Sequence, residues 1–427
     1  MKWRLAAALA SLSSVLPGIS PAQATTASVF GSGPVSRALG GAGATQALGY
    51  EAAFLNPAAL GQTSRLSISA GYGVESCWLY GQRAGEAEHR FSAAPLGSSA
   101  LGFTLPLPVL ARPVVLGFAS LVPGNSVATA ALPLAEEPQF PLLLSRQKAT
   151  DFALALGVQP WDWLALGVGV RALASLTGSA EVERGRRSTS TRVSDTLEPV
   201  LAPSAGVSAF LGKQSTLAFV ARAPMRADFD IRLSAVDLGA TQLPPLNLSG
   251  VAHYDPLALT LEYAQRLGSF TGLLGAVYQR YRAAPTLLPS TVSCPATRPA
   301  CAALGAEAPG LHDTVDLHVA ATLALPLTHV ASATLRAGYA FIPSPVPEQT
   351  GDANLLDNSR HRLALGYALS LSEPAPPITL DTAVTLDALV PRTSHKGPNV
   401  PADNAGAPAF TTRGRALGLS LGLTVKL

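Results

Sequence analysis

The sequence predicts an all-β fold: a 14-stranded antiparallel transmembrane β-barrel with an N-terminal hatch, or plug, segment inside it. The chain is 48% hydrophobic and only 13% charged, yet no long apolar helix is visible. A membrane-spanning helix needs roughly 20 predominantly apolar residues, and the best stretch, 154–174, is interrupted by Pro160, Asp162 and Arg171. Either a large soluble core or a closed barrel can hold this much apolar surface, and residue alternation and turn lengths favour the barrel.

The last residues show the alternation most clearly. Leucine or valine occupies every second position from 417 to 427, and small or polar residues occupy the positions between. Successive side chains of a strand point to opposite faces of the sheet, so one face is aliphatic and the other is small and polar. The same rule holds in 315–325 and 361–371. This pattern suits lipid outside and a polar interior.

Fourteen runs have strand character, and the connections between them alternate between short and long. Bacterial barrels have short periplasmic turns and longer external loops, so both chain ends are expected in the periplasm. A fifteenth run, 273–279, would make the count odd, and we assign it to a long loop or to the extension of a neighbouring strand. The predicted strands are 66–74, 99–105, 114–122, 150–158, 164–176, 198–210, 216–223, 246–254, 257–264, 314–325, 330–341, 360–371, 378–390 and 413–427.

The N-terminal part of the chain divides into two segments. Lys2 and Arg4, an apolar stretch and then Ala22-Gln23-Ala24 are typical of a secretory signal peptide, predicted over 1–24. Residues 25–62 are rich in glycine, which permits a compact irregular backbone. Such a segment can fold inside a barrel, where it is buried in protein. We therefore expect a hatch at 25–62 and a barrel at 63–427.

Several stretches resemble the FadL/TodX outer-membrane transporters of hydrophobic compounds. Residues 36–43 and 51–58, which include Gly40, Gly41 and Asn56-Pro57-Ala58, look like the N-terminal hatch of that family. Residues 337–361, with Ser344-Pro345-Val346-Pro347, look like a late loop of the family. Tyr254-Asp255-Pro256 resembles one of its periplasmic turns.

The resemblance implies passive uptake of hydrophobic molecules, such as long-chain fatty acids or related apolar compounds, with lateral release through the wall. It also implies a multi-pass barrel in the bacterial outer membrane, inserted by the barrel-assembly machinery, surrounded by outer-membrane lipid and monomeric. The hatch or gating role then falls on Gly40, Gly41, Asn56, Pro57 and Ala58. No cofactor is expected.

Strand parity places several cations inside the barrel. Arg171, Arg336 and Arg362 lie on the face opposite the aliphatic one. Unpaired cations there would favour an anionic group such as a carboxylate. The alternative is that inward acids, such as Asp316, neutralise them without binding ligand. The candidate ligand-binding residues are Phe30, Phe54, Leu55, Arg171, Arg336 and Arg362.

The cysteines and the net charge indicate no further site. Cys294 and Cys301 lie close together in an exported chain and are expected to form a disulfide, whereas Cys77 is left over. The three cysteines and the histidine spacing predict no metal site. The net charge of +3 is too small to favour nucleic-acid binding.

Two other classes of protein are alternatives to the transporter: an enzyme, and a porin or structural barrel. An enzyme is rejected because the sequence has no Gly-x-Ser-x-Gly motif, and His318 beside Asp316 is an incidental pair on one strand. A general porin, or a structural or adhesive barrel, is the alternative to the transporter. Porins keep a water-filled lumen, whereas the glycine-rich N-terminal segment is suited to filling one.

Overall fold

The computed structural model describes residues 31–91, 95–109, 112–124, 136–140, 143, 150–184, 189–236, 246–285, 291–293, 310–372 and 376–427. The predicted signal peptide, Phe30 and the Cys294–Cys301 pair lie outside the described residues. Within those ranges, no helix is long and apolar enough to cross a membrane, and no group of three His, Cys, Asp or Glu side chains is placed to hold a metal ion.

The described chain is mostly strand, preceded by a short helical segment. Helices α1 and α2 span Pro34–Ala38 and Glu51–Leu55, and a 3-10 helix spans Pro57–Gln62. The strands are β1 Ser67–Arg83, β2 His89–Phe91, β3 Leu96–Leu107, β4 Val114–Pro123, β5 Asp151–Trp161, β6 Leu164–Arg184, β7 Thr189–Leu211, β8 Ser215–Arg222, β9 Met225–Val236, β10 Leu246–Asp255, β11 Ala258–Leu267, β12 Phe270–Gln279, β13 Thr291–Ser293, β14 Thr314–Pro326, β15 Ala331–Ile342, β16 Arg360–Leu371, β17 Ile378–His395 and β18 Ala409–Lys426.

Fourteen of these strands form one closed antiparallel barrel. The order around the wall is β1-β3-β4-β5-β6-β7-β8-β11-β12-β14-β15-β16-β17-β18. Pairing of β18 with β1, from Ser67↔Lys426 to Arg83↔Phe410, closes the ring. The predicted fold class and strand count are confirmed.

The membership of the fourteen differs from the prediction in two strands. The run at 273–279, which we excluded, is the wall strand β12, paired with both β11 and β14. The run at 246–254 is β10, which lies outside the wall sequence and pairs with β9 and β13. One strand was omitted and one was wrongly included, so the two errors cancel in the count. Strands β9 and β10 belong to the long connection 223–257 between β8 and β11.

Two connections are also corrected. The stretch 177–197, predicted as a loop, continues strands β6 and β7 as far as the Arg184↔Thr189 pair. Tyr254-Asp255-Pro256 is not a periplasmic turn, because Asp255 is 3% exposed and forms an ion pair with Arg171 inside the barrel. The short turn in this part of the chain is instead 268–269, between β11 and β12.

The alternation of side chains matches a lipid-facing exterior. On β18, Leu417, Leu419, Leu421 and Leu423 are 36–51% exposed, whereas the intervening Gly418 is buried. Exposed apolar side chains recur on the outer face of most wall strands, and the stacked pair Trp161 and Trp163 lies at a short turn. An apolar outer band with aromatic residues at its edge is the surface of a barrel embedded in a membrane.

The described part of the N-terminal segment, 31–62, packs against the inner face of this wall. Tyr50, Phe54 and Leu60 form a hydrophobic cluster with inward residues of β3, β4 and β5 such as Val115 and Leu121. Wall glycines make room for it. A Cβ on Gly167 or Gly206 would overlap Pro57 or Asn56, and one on Gly338 would overlap the backbone of Leu39.

Polar side chains of the wall hold the segment in place. Arg37 pairs with Glu75 of β1, and both side chains are almost fully buried. Glu262 of β11 accepts hydrogen bonds from the backbone N–H groups of Gly43 and Thr45, at 2.7 and 2.8 Å. Asn56 Nδ2 donates to Ser208 Oγ of β7 at 2.9 Å. Three separate parts of the wall therefore bind the segment through buried hydrogen bonds.

Candidate functional site

A chamber of about 110 Å³ lies inside the barrel, bounded on one side by the N-terminal segment. The N-terminal segment contributes Gly31, Ser36, Gly41 and Leu55, and the loop 343–359 contributes the opposite boundary. Wall strands supply most of the rest, together with Asp255 and Pro256 at the end of β10 and Tyr281 after β12. The polar lining residues outside the N-terminal segment and the loop are Arg171, Arg222, Asp255, Gln279, Thr314, Asp316, His318, Arg360 and Arg362.

Two of the predicted arginines line this chamber, and both are neutralised by aspartates. Arg171 of β6 pairs with Asp151 of β5 and, at 3.2 Å, with Asp255. Arg362 of β16 forms two hydrogen bonds of 2.7 Å with the carboxylate of Asp387 on β17. Of the two alternatives for the inward cations, neutralisation by inward acids is therefore the one found for both residues. The alternation of residues along each strand correctly placed both arginines inside the barrel. It could not show which residues of other parts of the chain pair with them.

The third predicted arginine lies in a different cavity. Arg336 of β15 pairs with Asp381 of β17 at 2.8 Å. Both line a cavity of about 520 Å³ at the end of the barrel where Ser67 and Lys426 lie, on the other side of the N-terminal segment. Arg336 is therefore also paired, and it does not contribute to the chamber.

Arg222 and His318 are among the chamber residues whose side chains carry polar atoms without a hydrogen-bond partner in the described part of the chain. Arg222, at the end of β8, donates to Thr260 Oγ1 at 3.2 Å, and its Nε has no partner among the described residues. No described carboxylate lies within salt-bridge distance of it. The backbone of Gly40 lies close to the His318 ring, but neither ring nitrogen reaches hydrogen-bond geometry with a described residue. Because His318 is only 6% exposed, these atoms favour a ligand that can accept hydrogen bonds.

Gly41 explains how the segment approaches these side chains. Its φ of +96° lies in the left-handed region that glycine adopts without strain. A Cβ there would lie 3.4 Å from His318 Cε1 and 3.9 Å from Arg362 Nη1. Gly40, with φ of +69°, lies equally close to the backbone of β15. The two glycines therefore let the segment form the floor beside His318.

The loop 343–359 closes the chamber from the other side. Asn358 Nδ2 donates to the carbonyl oxygens of Val390 and Thr412, at 2.9 and 3.2 Å. Burial raises the pKa of the Asp357 carboxyl, although Arg360 lowers it. The Asn358 hydrogen bonds tie the loop to β17 and β18, so the loop covers this side of the chamber.

Apolar side chains occupy the floor. Leu55 lines the chamber, and Phe54 lies beneath it, with its ring centroid 6.0 Å from the Arg171 guanidinium carbon. Asn56, Pro57 and Ala58 do not line the chamber. Their role is to attach the segment, through Asn56, which caps the 3-10 helix by accepting from the Ala58 N–H at 3.1 Å.

Sequence reasoning therefore found part of the site. Gly41, Leu55, Arg171 and Arg362 come together in the chamber, whereas Arg336 and Phe54 lie elsewhere. Arg222 was missed, although it lies at the end of a predicted strand and its charge was a usable signal. His318 was noticed only as a neighbour of Asp316.

The size of the chamber limits what it holds when closed. A buried apolar cavity of roughly 150 Å³ accommodates benzene, and this chamber measures about 110 Å³. It therefore holds a polar head group or a very small molecule. A longer chain requires the segment or the loop to move.

The fold is that of solved FadL-type transporters. A FadL homologue from Pseudomonas aeruginosa matches with a TM-score of 0.60 at 14% identity, over 92% of this chain and 98% of that one. The toluene transporter TodX from P. putida matches at 0.58 and 11%, over 93% and 99%. The toluene transporter TbuX from Ralstonia pickettii matches at 0.56 and 15%, over 94% and 100%.

No protein-family model and no curated protein matches the sequence. The structural likeness confirms the sequence resemblance at the level of the fold. The even number of antiparallel strands, the apolar exterior and the short turns at one end of the wall are features of bacterial outer-membrane barrels. The chain is therefore an outer-membrane β-barrel, and the solved proteins that share its fold are described as transporters and channels.

Proposed function

We propose that this protein is a passive uptake channel for hydrophobic molecules, in which residues 25–62 act as a hatch. The observation that carries the proposal is the chamber inside the barrel between that segment and the loop 343–359. A water-filled porin would keep its lumen open. Here the segment lies in the lumen and packs directly against glycines of the wall.

The chamber's chemistry favours an amphipathic substrate. Arg222 and His318 present hydrogen-bonding atoms without partners among the described residues, next to the apolar side chain of Leu55. A guanidinium binds a carboxylate or another oxyanion strongly. A fatty acid, or a related molecule with an apolar body and an acidic head, meets both requirements. Lateral release through the wall, which the family resemblance implies, completes the proposed route.

Uptake of matched probes tests this assignment. Cells lacking their own channel of this kind would express the protein and receive radiolabelled decanoate or decanol. Arg222→Gln should lower uptake of decanoate by about tenfold at subsaturating concentration, the loss expected for one charge-assisted hydrogen bond, and should leave decanol uptake unchanged. Arg112→Gln, in the short turn between β3 and β4, is the control, because Arg112 is exposed and does not line the chamber.

Two results would contradict the proposal. Equal uptake by cells with and without the protein would exclude a channel for these molecules. An equal loss of decanoate and decanol uptake in Arg222→Gln would mean that Arg222 supports the fold rather than recognising an acidic head.

A further inference from the structure

Five residues form an arginine–aromatic patch on the outside of the barrel: Trp78, Tyr80, Arg90, Arg413 and Arg415. Pairing of β1 with β18 sets Trp78 opposite Arg415 and Tyr80 opposite Arg413. Pairing of β1 with β2 sets Tyr80 opposite Arg90. Opposed residues of paired strands point to the same face, so the five side chains share one surface.

That surface faces outward. Arg413 and Arg415 have the same parity on β18 as the exposed Leu417 and Leu419, and both arginines are exposed. The residues between them point inward, as the buried Ala416 shows. The patch therefore continues the lipid-facing aliphatic surface toward the end of the barrel that has the long loops. Long loops are external in these barrels, so the patch lies at the level of the outer leaflet.

The aromatic rings hold two of the arginines in place. The Arg415 guanidinium carbon lies 5.5 Å from the centroid of the Trp78 ring, and that of Arg413 lies 5.8 Å from the Tyr80 ring. A cation over an aromatic face is attracted by the ring quadrupole. The guanidinium groups are therefore fixed at the surface of the barrel instead of extending freely into solvent.

Only one of the three charges is neutralised. Glu88 accepts from Arg413 Nε and Nη2, at 2.7 and 2.9 Å. Arg90 and Arg415 have no carboxylate within 4.0 Å among the residues that the structure describes. Three arginines and one glutamate leave an excess of positive charge on a surface bordered by hydrocarbon. An uncompensated cation next to lipid is unfavourable unless an anion lies at the same depth.

We propose that this patch binds the phosphate of a lipid in the outer leaflet. A planar guanidinium donates two parallel hydrogen bonds to a phosphate. Arg90 and Arg415 flank the Tyr80–Trp78 pair, so a phosphate between them can accept from both sides while its acyl chains lie along Leu417 and Leu419. The lipid is a structural partner of the barrel, and this assignment does not depend on the proposed transport function.

The test uses full-length protein in nanodiscs of phosphatidylcholine. Diphosphorylated lipid A is the probe, dephosphorylated lipid A is the control lipid, and native mass spectrometry counts the lipid retained after release from the disc. The double variant Arg90→Gln/Arg415→Gln should retain about 25-fold less probe, since each basic residue near a lipid surface contributes roughly a factor of five. Arg266→Gln removes an exposed arginine at the other end of the barrel and should change nothing.

Each arm has an outcome that overturns the proposal. Equal retention of the two lipids by the unmodified protein would show that phosphate is not recognised. Full competition by inorganic phosphate at millimolar concentration would show a free-anion site. Equal loss in the Arg266→Gln control would show a general charge effect. The Arg90→Lys/Arg415→Lys variant checks geometry: it keeps the charge but lacks the planar fork, so retention should be intermediate.

Discussion

Arg362 and Asp387 form a buried, doubly hydrogen-bonded ion pair across two neighbouring strands, with both contacts at 2.7 Å. The side chains are 4% and 3% exposed. The pair shows how this barrel combines an internal chamber with a stable wall: the charges that line the chamber are mostly matched by charges on the next strand.

Removing one partner of this pair should destabilise the barrel. Asp387→Asn removes the carboxylate charge that Arg362 contacts through two hydrogen bonds, and breaking a buried ion pair typically costs about 3–5 kcal/mol. The midpoint of urea unfolding, followed by the heat-modifiable mobility of the barrel on gels, should fall accordingly. Asp162→Asn breaks the exposed Arg112–Asp162 pair and should change stability by about 0–1 kcal/mol. Equal effects would contradict the burial of the inner pair.

Adding a methyl group to a wall glycine should displace the N-terminal segment. A Cβ at Gly206 or Gly167 would overlap Asn56 or Pro57, so Gly206→Ala and Gly167→Ala should loosen the segment and raise single-channel conductance. Gly272→Ala is the control, because its Cβ would meet only one ring atom at 3.6 Å. If all three variants conduct like the parent, these contacts do not hold the segment closed.

A charge on the lipid-facing side should be harmful only at mid-depth. Leu419 is 51% exposed on the outer face of β18, and Leu427 is 58% exposed at the chain end. Leu419→Arg should destabilise the barrel in lipid by about 2–4 kcal/mol, whereas Leu427→Arg should change it by about 0–1 kcal/mol. Unfolding in lipid vesicles measures both. The reverse order would mean that the membrane band is placed wrongly.

The loop 343–359 should become more stable at alkaline pH. Lys396 Nζ donates to the carbonyl oxygens of Gly351 and Ala353, at 2.8 and 2.6 Å. Its burial lowers the pKa of Lys396 from 10.5 to about 8. Between these values the unfolded chain binds more protons than the folded one, so the stability of the loop rises with pH across that window.

NMR of selectively labelled lysine checks this shift. One lysine should titrate near pH 8, and its signal should vanish in Lys396→Met. Hydrogen exchange of the loop, compared between pH 8 and pH 10 after correction for intrinsic rates, should slow in the parent and not in the variant. Faster corrected exchange at pH 10 would contradict the sign.

The architecture was predictable because the alternation of residues records which face meets lipid. Strand β18, with leucine or valine at every second position from 417 to 427, needed no other information. The assignment of β12 failed although its run looked like a strand. The even count expected of bacterial barrels excluded one run, and the run at 246–254 was kept instead although it pairs outside the wall.

The chamber was harder to predict, because its chemistry depends on contacts between distant parts of the chain. Parity correctly placed Arg171 and Arg362 inside. Their neutralisation by Asp151, Asp255 and Asp387 follows from strand neighbours and from the connection 223–257, which a single sequence does not reveal. Arg222 stands out only once those pairs are assigned.

The central claim is that the N-terminal segment closes an otherwise open barrel. Single-channel conductance, compared between the intact protein and a form lacking residues 25–62, tests it most directly. The intact protein should show little or no conductance, and the shortened barrel, shown to be folded by its heat-modifiable mobility, should conduct continuously. Wide, ungated conductance already present in the intact protein would contradict the claim.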